Sequence, residues 1–473
     1  MKTKDSGFES DVFMNRIFKR NNKLGSDACE ILTKVVESID AYDCVYENIH
    51  LDGDKLHIGN KLIHINDFDR GFLIGFGKAA VQMAKAVLDK LGTFLITASV
   101  ITKDNKFQAE QKNYDNLTVY LGGHPIPTTA SVTGTQAIMK DLPPLTARDL
   151  VFVVISGGGS ALFMDPVESV RLDELQQMTQ VLLNCGADIN EINTLRKHLD
   201  RVKGGHLAER LKPAFIESLI LSDVIGDPLD MIASGPTVED PTTFDDALSI
   251  LKKYQIKEKI PKCILTVLQN GCEGKIQETP KPGQLPSDRV HNHLVGTNFI
   301  AAEAARCQAT ALGYNTVIVS THITGPTEHV ANFIRSILQT QIAHNHPIDK
   351  PACLIFGGEP TVNVIGDGLG GRNLDLTLRM VIKIAEMQNV LFVSFATDGD
   401  DGPTDAAGAV TDGFVFRDGK DLYGLDVHSF ISNNDSYHYF EKVGGLIKTG
   451  ATGSNVNDVI FLLIDEQTQS HIQ

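Results

Sequence analysis

Apolar positions along the 473-residue chain fall into short runs, separated by longer stretches in which apolar residues recur at helical spacing. The short runs are rich in β-branched and aromatic residues, which favours buried strands. Strands that alternate with helices form mostly parallel sheets covered by helices. The sequence therefore predicts an α/β fold in which each domain is a Rossmann-like, mostly parallel sheet sandwiched by helices. The predicted strands are 72–74, 95–101, 117–121, 151–155, 218–221, 317–320, 354–356 and 391–395.

Two domains are expected, because the chain is longer than the roughly 250–300 residues over which one hydrophobic core keeps growing. A proline-rich stretch with little apolar content precedes Leu294 and is typical of a surface linker. We predict an N-terminal extension over 1–27, an N-terminal domain over 28–275, a linker over 276–292 and a C-terminal domain over 293–473. The active site is expected in the cleft between the two domains.

The predicted strand 151–155 ends abruptly at three glycines set between two serines. Glycines lack a Cβ atom, so the main-chain amides of such a loop can approach an anion closely, and the serine hydroxyls add donors. In open parallel sheets ligands bind beyond the carboxyl ends of the strands, which is where this loop falls. The sequence predicts that the loop binds phosphate through Ser156, Gly157, Gly158, Gly159 and Ser160.

A second glycine loop, containing Gly75, Gly77 and Lys78, follows the strand 72–74. Its Gly-x-Gly-x-x-Ala form is that of a dinucleotide loop, but the acidic residue that would bind a ribose about 20 positions later is missing. Lys78 instead places a positive charge at a helix N-terminus, which favours binding of a phosphate or carboxylate; a solvated lysine after a tight turn is the alternative. The sequence contains no P-loop motif and no protein-kinase signature, so phosphoryl transfer would need another scaffold.

Three cationic or titratable side chains of the first half are candidates for binding substrate. His124 follows a predicted strand and could orient a substrate oxygen or, equally, bind a backbone carbonyl. Arg196 and Lys203 stand in a segment so dense in cations that a solvated helix face is the ordinary explanation. In so acidic a chain, the same cluster is also what an anion pocket would require.

Carboxylates after two of the predicted strands are candidate magnesium ligands. Asp223 and Asp227 follow the strand 218–221, and Asp398 follows the strand 391–395 within a crowded acidic cluster. Mg²⁺ prefers one or two carboxylates together with phosphate oxygens and water. Capping of the local loops is the alternative role for these side chains.

In the second half of the chain, a glycine-rich segment delivers Arg372 and Asn373. A guanidinium group on such a loop is suited to stabilising the charge of a transferring phosphoryl group, and Arg372 is the leading catalytic candidate. A salt bridge between domains is its alternative role. We further predict that Asn373 contacts phosphate and that Glu359, after the strand 354–356, contacts substrate.

Composition narrows the range of partners. A formal net charge of −16 with no basic stripe argues against a nucleic-acid surface. No apolar run approaches the ~20 residues that span a bilayer. The seven cysteines are scattered and never form Cys-x-x-Cys, which favours a reducing compartment. We expect a small-molecule partner, a monomer or homodimer, and a cytoplasmic location, with a mitochondrial one left open.

Ten blocks of the chain carry a family resemblance: GFGKAA, GGHPIPT, ISGGGSAL, INTLRKHLDRVKGGHLA, LILSDVIGDPLDMIASGPT, GGEPTV, GRNLDL, ATDGDDGPTDAAGA, NNDS and TGATGSNVND. Taken in this order, they resemble the class II glycerate 2-kinases, the family whose C-terminal half is called MOFRL. The resemblance implies a two-domain enzyme that uses ATP and Mg²⁺ to phosphorylate the 2-hydroxyl group of D-glycerate. It also implies that Lys78 and Arg372 are the catalytic residues.

Two other functions stay open on the sequence alone. The loop at Gly75 also suits an NAD(P)-dependent oxidoreductase acting on a hydroxy acid, although the missing ribose carboxylate weakens that interpretation. The other alternative is a non-catalytic sugar-phosphate-binding protein, which would bind its ligand without consuming ATP.

Overall fold

The computed structural model describes residues 10–103, 114–466 and 468. The chain forms two compact units. The central unit is Ala41–Val295, and the terminal unit combines the described residues of Met1–Asp40 with those of Gly296–Gln473. This division differs from the predicted one at the N-terminus, since residues 10–40 belong with the C-terminal part of the chain.

The predicted α/β fold is confirmed, and each of the eight predicted strands falls within an observed one. The helices are α1 (Arg16–Arg20), α2 (Lys23–Ser38), α3 (Ala41–Tyr46), α4 (Ala80–Leu91), α5 (Thr129–Asp141), α6 (Gly159–Leu162), α7 (Leu172–Asn184), α8 (Ile189–His198), α9 (His206–Leu211), α10 (Phe244–Lys253), α11 (Lys262–Cys272), α12 (Asn298–Ala311), α13 (Thr327–His344), α14 (Arg372–Lys383), α15 (Val415–Tyr423), α16 (Val427–Ser432) and α17 (Ser436–Val443). The strands are β1 (Ile49–Asp52), β2 (Lys55–Ile58), β3 (Lys61–His64), β4 (Arg70–Phe76), β5 (Leu95–Thr102), β6 (Leu117–Leu121), β7 (Asp149–Ile155), β8 (Phe215–Leu221), β9 (Val290–Gly296), β10 (Asn315–Pro326), β11 (Ala352–Thr361), β12 (Val390–Ala396), β13 (Gly408–Asp412), β14 (Leu446–Ile447) and β15 (Asp458–Ile464). Single 3₁₀ turns occupy Ser10–Phe13, Ile65–Asp67, Gly92–Phe94, Ile232–Ser234 and Lys257–Lys259.

The central unit is built on a six-stranded sheet of order β6-β5-β4-β7-β8-β9. The four pairings from β6 to β8 in this order are all parallel. All seven residues of β7 are buried, as expected for a strand covered on both faces. The last residues of the two middle strands, Phe76 and Ile155, lie opposite each other. The two predicted glycine loops therefore begin side by side.

A small antiparallel sheet of order β1-β2-β3 also belongs to the central unit. Exposed and buried residues alternate along β2, in which Leu56 and Ile58 are fully buried. The sequence analysis did not predict this sheet.

The terminal unit contains a second six-stranded sheet, of order β10-β11-β15-β12-β13-β14. Strands β10 and β11 pair in parallel, while β15 lies antiparallel between β11 and β12. Strand β13 is antiparallel to both β12 and β14. Four strands therefore run in one direction, and β13 and β15 run in the other.

The N-terminal segment packs within the terminal unit. Helix α2 buries one face, including Ala28, Ile31 and Leu32, and contacts α12. The hydroxyl group of Tyr314 donates a hydrogen bond of 2.6 Å to the buried carboxylate of Asp27. Residues predicted as an extension and as the start of the N-terminal domain thus contribute to the core formed with the C-terminal part of the chain.

The predicted linker, 276–292, is anchored within the central unit. Glu278 accepts a hydrogen bond from the Phe244 amide at 3.1 Å and lies 2.8 Å from the imidazole of His198. Leu285 is buried in the core beside the central sheet.

Among the residues that the structure describes, no helix is both long enough and apolar enough to cross a bilayer.

Candidate functional site

The two glycine turns of the central unit are bonded to each other. The Lys78 amide donates to the Gly157 carbonyl at 2.9 Å, and the Ala79 amide donates to the Ser156 hydroxyl at 3.0 Å. Ser156 is 1% exposed. Its hydroxyl group therefore joins the two turns, which holds Lys78 next to the predicted phosphate loop.

Two glycines in these turns cannot be replaced without strain. Gly77 has φ of 122°, and a Cβ atom there would lie 2.3 Å from the Ser156 Oγ. Gly158 has φ of 83°, and a Cβ atom there would lie 2.8 Å from the His124 ring. Positive φ disfavours other residues, and the close approach excludes a side chain. Gly75, by contrast, lies inside β4, where the space for a side chain is occupied by Val100 and Val154.

A cavity of about 910 Å³ opens in the central unit beside the glycine turn. It is large enough for a drug-sized ligand or cofactor. The cavity brings together residues that are far apart in the sequence and that were predicted separately as phosphate, substrate or metal ligands. The predicted residues that line it are Gly158, Gly159, Ser160, His124, Arg196, Lys203 and Asp223.

His124 contributes an imidazole to this cavity. Among the described residues neither ring nitrogen has a hydrogen-bond partner, so the predicted alternative of a backbone carbonyl partner is not observed. Burial, followed by the charges of Lys78 and Lys103, lowers the pKa of His124 to about 4. The ring is therefore neutral at physiological pH and can accept a hydrogen bond or a proton.

The cationic side chains in and after α8 differ in whether they contact other groups of the protein. Lys203 is buried, and its ammonium donates to the Phe163 carbonyl at 2.7 Å and lies 3.3 Å from Asp200. Arg196 lines the cavity and is half-buried. Within the part of the chain that the structure describes, its guanidinium has neither an ion pair nor a hydrogen bond.

A chain of hydrogen bonds connects the glycine turn to α8. Ser160 lies 2.9 Å from Ser234, oxygen to oxygen, and the Ser234 hydroxyl donates to the Asn193 side chain at 3.0 Å. Asn193 lines the cavity one helical turn before Arg196. Sequence reasoning did not select Asn193 or Ser234, because no local motif marks a contact between residues 41 positions apart.

The candidate magnesium ligands of the central unit differ in position. The Asp223 carboxylate lies against the glycine turn, since a Cβ atom on Gly157 would be 2.2 Å from its Oδ2. Asp227 is half-buried in the following turn, with φ of 54°. Over residues 10–103, 114–466 and 468, no three His, Cys, Asp or Glu side chains are grouped closely enough to hold a metal ion. One carboxylate beside a phosphate loop still fits Mg²⁺, which takes its other ligands from phosphate and water.

In the terminal unit, Arg372 is the first residue of α14 and lies among carboxylates. Its Nε and Nη2 donate to the two oxygens of Asp458 at 2.6 and 3.0 Å, and its Nη1 donates to Glu359 at 2.8 Å. These bonds use three of the five N–H groups of a guanidinium. Although burial opposes it, the carboxylates raise the pKa of Arg372, so the group stays charged.

Asp458 is the main partner of Arg372 and was missed by the sequence analysis. Its carboxylate is fully buried, which raises its pKa, and the charge of Arg372 offsets part of that shift. The bidentate pair fixes the orientation of the guanidinium.

Asn373 follows Arg372 and is 1% exposed. Its side chain donates to Asp401 at 3.2 Å and accepts from the Ser394 hydroxyl at 2.6 Å. Asp401 also accepts the Asn373 and Leu374 amides and so caps α14. The structure therefore uses Asn373 to position the start of α14.

The three aspartates of the acidic cluster at 398–401 differ in burial and in their contacts. Asp401 is buried at the cap of α14, and Asp400 is exposed. Asp398 is half-buried and accepts a hydrogen bond from the Asp400 amide at 3.3 Å. Predicted loop capping is thus observed for this segment.

The glycine-rich segment before Arg372 is anchored by the loop 433–436. The side chain of Asn434 accepts the Ile365 and Gly366 amides, at 2.8 and 3.0 Å. The Asp435 carboxylate accepts the Leu369 amide at 3.0 Å. The segment that delivers Arg372 is therefore held in a defined conformation.

Comparisons with known proteins identify the family of the chain. A domain of unknown function, DUF4147, matches residues 27–269, and the MOFRL family matches residues 352–458. The glycerate 2-kinase of Pyrococcus horikoshii is 39% identical, over 92% of this chain and 96% of that protein. The D-glycerate 2-kinase of Thermotoga maritima is 40% identical, over 92% of this chain and 97% of that protein.

Solved structures show the same fold. A crystal structure of glycerate kinase from Thermotoga maritima has a TM-score of 0.81 and 38% identity, covering 94% of this chain and 100% of that one. A protein of Pyrococcus horikoshii also has a TM-score of 0.81, covering 94% of this chain and 99% of that one. These relationships extend over nearly the whole of both chains, and the chain therefore belongs to the glycerate 2-kinase family, with MOFRL as its C-terminal part.

Proposed function

We propose that the protein is a kinase that transfers the γ-phosphoryl group of ATP to the 2-hydroxyl group of D-glycerate, giving 2-phosphoglycerate and ADP. The observation that carries the proposal is the glycine turn at the cavity wall, with the Lys78 backbone bonded to it. Arg196, which has no ion-pair partner among the described residues, lines the same cavity. The relatives named glycerate 2-kinase support the choice of substrate.

The triphosphate of ATP would lie along Gly158–Ser160. Main-chain amides of this turn would donate to phosphate oxygens, and Lys78 would supply a positive charge. Catalysis of phosphoryl transfer depends mainly on positioning and on neutralising the charge of the three terminal oxygens. Because the two turns are hydrogen-bonded to each other, the same edge of the sheet would supply both the positioning and the positive charge.

Mg²⁺ is part of the proposal, with Asp223 as the residue that would hold it. Its carboxylate lies against Gly157 and so beside the proposed phosphates. When bound, the ion would neutralise phosphate charge. Asp227 and Asp398 stay second candidates, each with a capping role as the alternative.

His124 is proposed to accept the proton of the attacking hydroxyl group. The 2-hydroxyl oxygen of glycerate forms the new bond to the γ-phosphorus, the bond from that phosphorus to the β–γ bridging oxygen breaks, and the hydroxyl proton passes to the neutral imidazole. A general base contributes about 10²–10⁴-fold in rate when its pKa lies near the operating pH, so the lowered pKa of His124 places its contribution towards the low end of that range. The absence of any described protein partner on the ring leaves it available for this contact.

Arg372 is proposed to stabilise the transferring phosphoryl group through the two N–H groups that its carboxylate partners do not use. Asp458 and Glu359 would hold the guanidinium in place, so that Glu359 acts on the reaction through Arg372. Asn373 and Asp401 would position the same residue by fixing the start of α14. Lys203, with its ammonium bound to protein groups, would shape the cavity wall.

A coupled assay of ADP release tests the proposal. We expect ADP to form only when the protein, ATP, Mg²⁺ and D-glycerate are all present. Oxidation of NADH or NADPH with hydroxypyruvate, in the absence of ATP, would instead indicate an oxidoreductase. Binding of D-glycerate without turnover of ATP would indicate a binding protein.

We also propose a cytoplasmic location, with a mitochondrial one as the alternative, and a monomer or homodimer acting without nucleic acid or membrane. Light scattering after gel filtration distinguishes the two assembly states from larger ones. Cell fractionation distinguishes the two compartments.

A further inference from the structure

The strongest feature outside the phosphate turn is the guanidinium of Arg196, which has no partner among the residues that the structure describes. It lies on α8, on the helix face that lines the cavity together with Ile189 and Asn193. These three residues are spaced as i, i+4 and i+7, which places them in one row about 10 Å long. The row runs from an exposed apolar residue at the N-terminal end to Arg196 at the other end.

The cations around Arg196 all have partners. Lys197 is buried, and its ammonium lies 3.0 Å from Asp230 and 3.3 Å from Asp240. Arg201 lies 2.7 Å from Asp165. The cations next to Arg196 are therefore paired with carboxylates of the protein. The guanidinium of Arg196, which faces the cavity, has no acceptor in the described part of the chain.

A half-buried guanidinium without a partner is costly, because it has lost part of its hydration and gained no anion in return. Burial lowers the pKa of Arg196, and no carboxylate offsets that effect. An anionic ligand would restore the missing interaction. The planar fork of arginine matches a carboxylate group, which it binds through two parallel N–H···O bonds.

The position of Arg196 favours a carboxylate of the substrate over the phosphates of ATP. Arg196 lies one helical turn from Asn193, which is connected through Ser234 to Ser160 at the glycine turn. The cation is therefore beside the proposed phosphate turn and is not part of it. In a three-carbon hydroxy acid, the carboxylate and the attacking hydroxyl group are on neighbouring carbons, so a cation in this position suits such a molecule.

We propose that Arg196 binds the carboxylate of the hydroxy-acid substrate and sets the preference of the site for acids over uncharged polyols and amides. The inference rests on the proposed kinase function and adds the group that recognises the substrate. Asn193 acts as a positioning residue, since its side chain fixes Ser234 and through it Ser160. His124, whose ring lies beside Gly158, is then left for the hydroxyl group.

The test replaces Arg196 with methionine, which has a similar length and no charge. Arg201→Met is the matched control, because Arg201 belongs to the same segment and pairs with Asp165. We expect Arg196→Met to lower kcat/KM for D-glycerate about 100-fold and to leave KM for ATP within about twofold. The control should keep both constants near those of the wild type.

A substrate comparison identifies the group that Arg196 contacts. The wild type should prefer D-glycerate to D-glyceramide, the uncharged amide of similar size, by about 100-fold. The Arg196→Met variant should lose most of that preference. An unchanged preference would overturn the proposal, and so would a rise in KM for ATP alone, which would assign Arg196 to phosphate binding.

Calorimetric titration separates this inference from the kinase proposal. D-glycerate added without ATP should bind the wild type and bind Arg196→Met about 100-fold more weakly. If the wild type binds D-glycerate through Arg196 but never forms ADP, the kinase proposal fails and the carboxylate site stands. If Arg196→Met does not fold, Arg196→Lys keeps the charge without the fork, and wild-type affinity for D-glycerate in that variant would contradict bidentate binding.

Discussion

Arg372 shows how far a single side chain could be interpreted from sequence. A glycine-rich segment before an arginine predicts a guanidinium delivered by a loop, and the structure places Arg372 at the end of such a segment. Its partner Asp458 is 86 positions away and could not be found from a local pattern. The alternative role predicted for Arg372 was a salt bridge between domains, whereas the salt bridges observed, to Asp458 and Glu359, are made within the terminal unit.

Conservative replacement of Arg372 tests its proposed role in catalysis. Arg372→Lys keeps a positive charge but cannot make the bidentate bond to Asp458 and offer further donors at once. We expect kcat to fall about 10²–10³-fold. The melting temperature should also fall, because lysine leaves one oxygen of the buried Asp458 carboxylate without its hydrogen bond. Arg379→Lys, on the same helix, is the control and should keep the wild-type kcat, because Arg379 pairs with Asp375. A wild-type kcat in Arg372→Lys would remove the residue from the proposed mechanism.

His124 shows the reverse case, since its chemistry depends on surroundings that the sequence does not reveal. The sequence left two roles open, and the structure shows a half-buried ring beside Gly158. Burial and two lysines keep the ring neutral.

Removal of a nearby charge should shift the titration of His124. Lys78→Met eliminates one of the cations that lower the pKa of His124, so we expect that pKa to rise from about 4 and, because burial persists, to stay below 6.5. In the wild type, the stability that the neutral ring contributes is present above pH 6.5 and is lost as the pH falls towards 4, because the unfolded state then binds more protons. In the variant the loss should begin at the same pH, end at a higher pH and be smaller in total, because the folded-state pKa lies closer to the unfolded value.

Proton NMR of the imidazole resonance follows the titration directly. Lys140→Met is the control, because Lys140 is exposed on α5 and does not contribute to the shift. An identical His124 titration in Lys78→Met and the wild type would show that Lys78 does not act on the ring.

At the scale of elements, the strands and the glycine turns could be predicted because each is marked by its own local sequence. The pairing of β4 with β7 then places the two turns side by side. Strand β15 was not predicted, although its seven residues, 458–464, are buried. Its antiparallel place between β11 and β12 is decided by pairing with distant strands, which a local pattern does not specify.

Alanine substitutions at two glycines of similar backbone conformation distinguish an effect on the catalytic site from the effect of backbone strain alone. Gly158 and Gly186 have φ of 83° and 78°, and only Gly158 has atoms within 4 Å of an added Cβ. Alanine at either position should cost roughly 1 kcal/mol of folding free energy through positive φ. Gly158→Ala should in addition displace His124 and lower kcat/KM about 100-fold.

Gly186→Ala is the matched control and should keep the wild-type kcat/KM. Chemical denaturation measures the free energy of unfolding for both variants, and the coupled assay measures turnover. Equal activity in the two variants would mean that the turn at Gly158 does not position the reacting groups.

At the scale of the whole molecule, the α/β class followed from the alternation of strands and helices, and the family followed from ordered motifs. The membership of residues 10–40 in the terminal unit did not follow, because it rests on contacts such as Tyr314 with Asp27, 287 positions apart. The chain has a net charge of −16, yet a cation lines its cavity: Arg196, for which the described part of the chain supplies no anionic partner.

The position of the transferred phosphate tests the central claim most directly. Phosphorus NMR of the product formed from ATP and D-glycerate distinguishes the two possible esters by their coupling to protons. Phosphate on carbon 2 couples to one proton and gives a doublet, which is the result we predict, with one ADP formed for each ester. A triplet from phosphate on carbon 3, or ADP formed without any ester, would contradict the assignment.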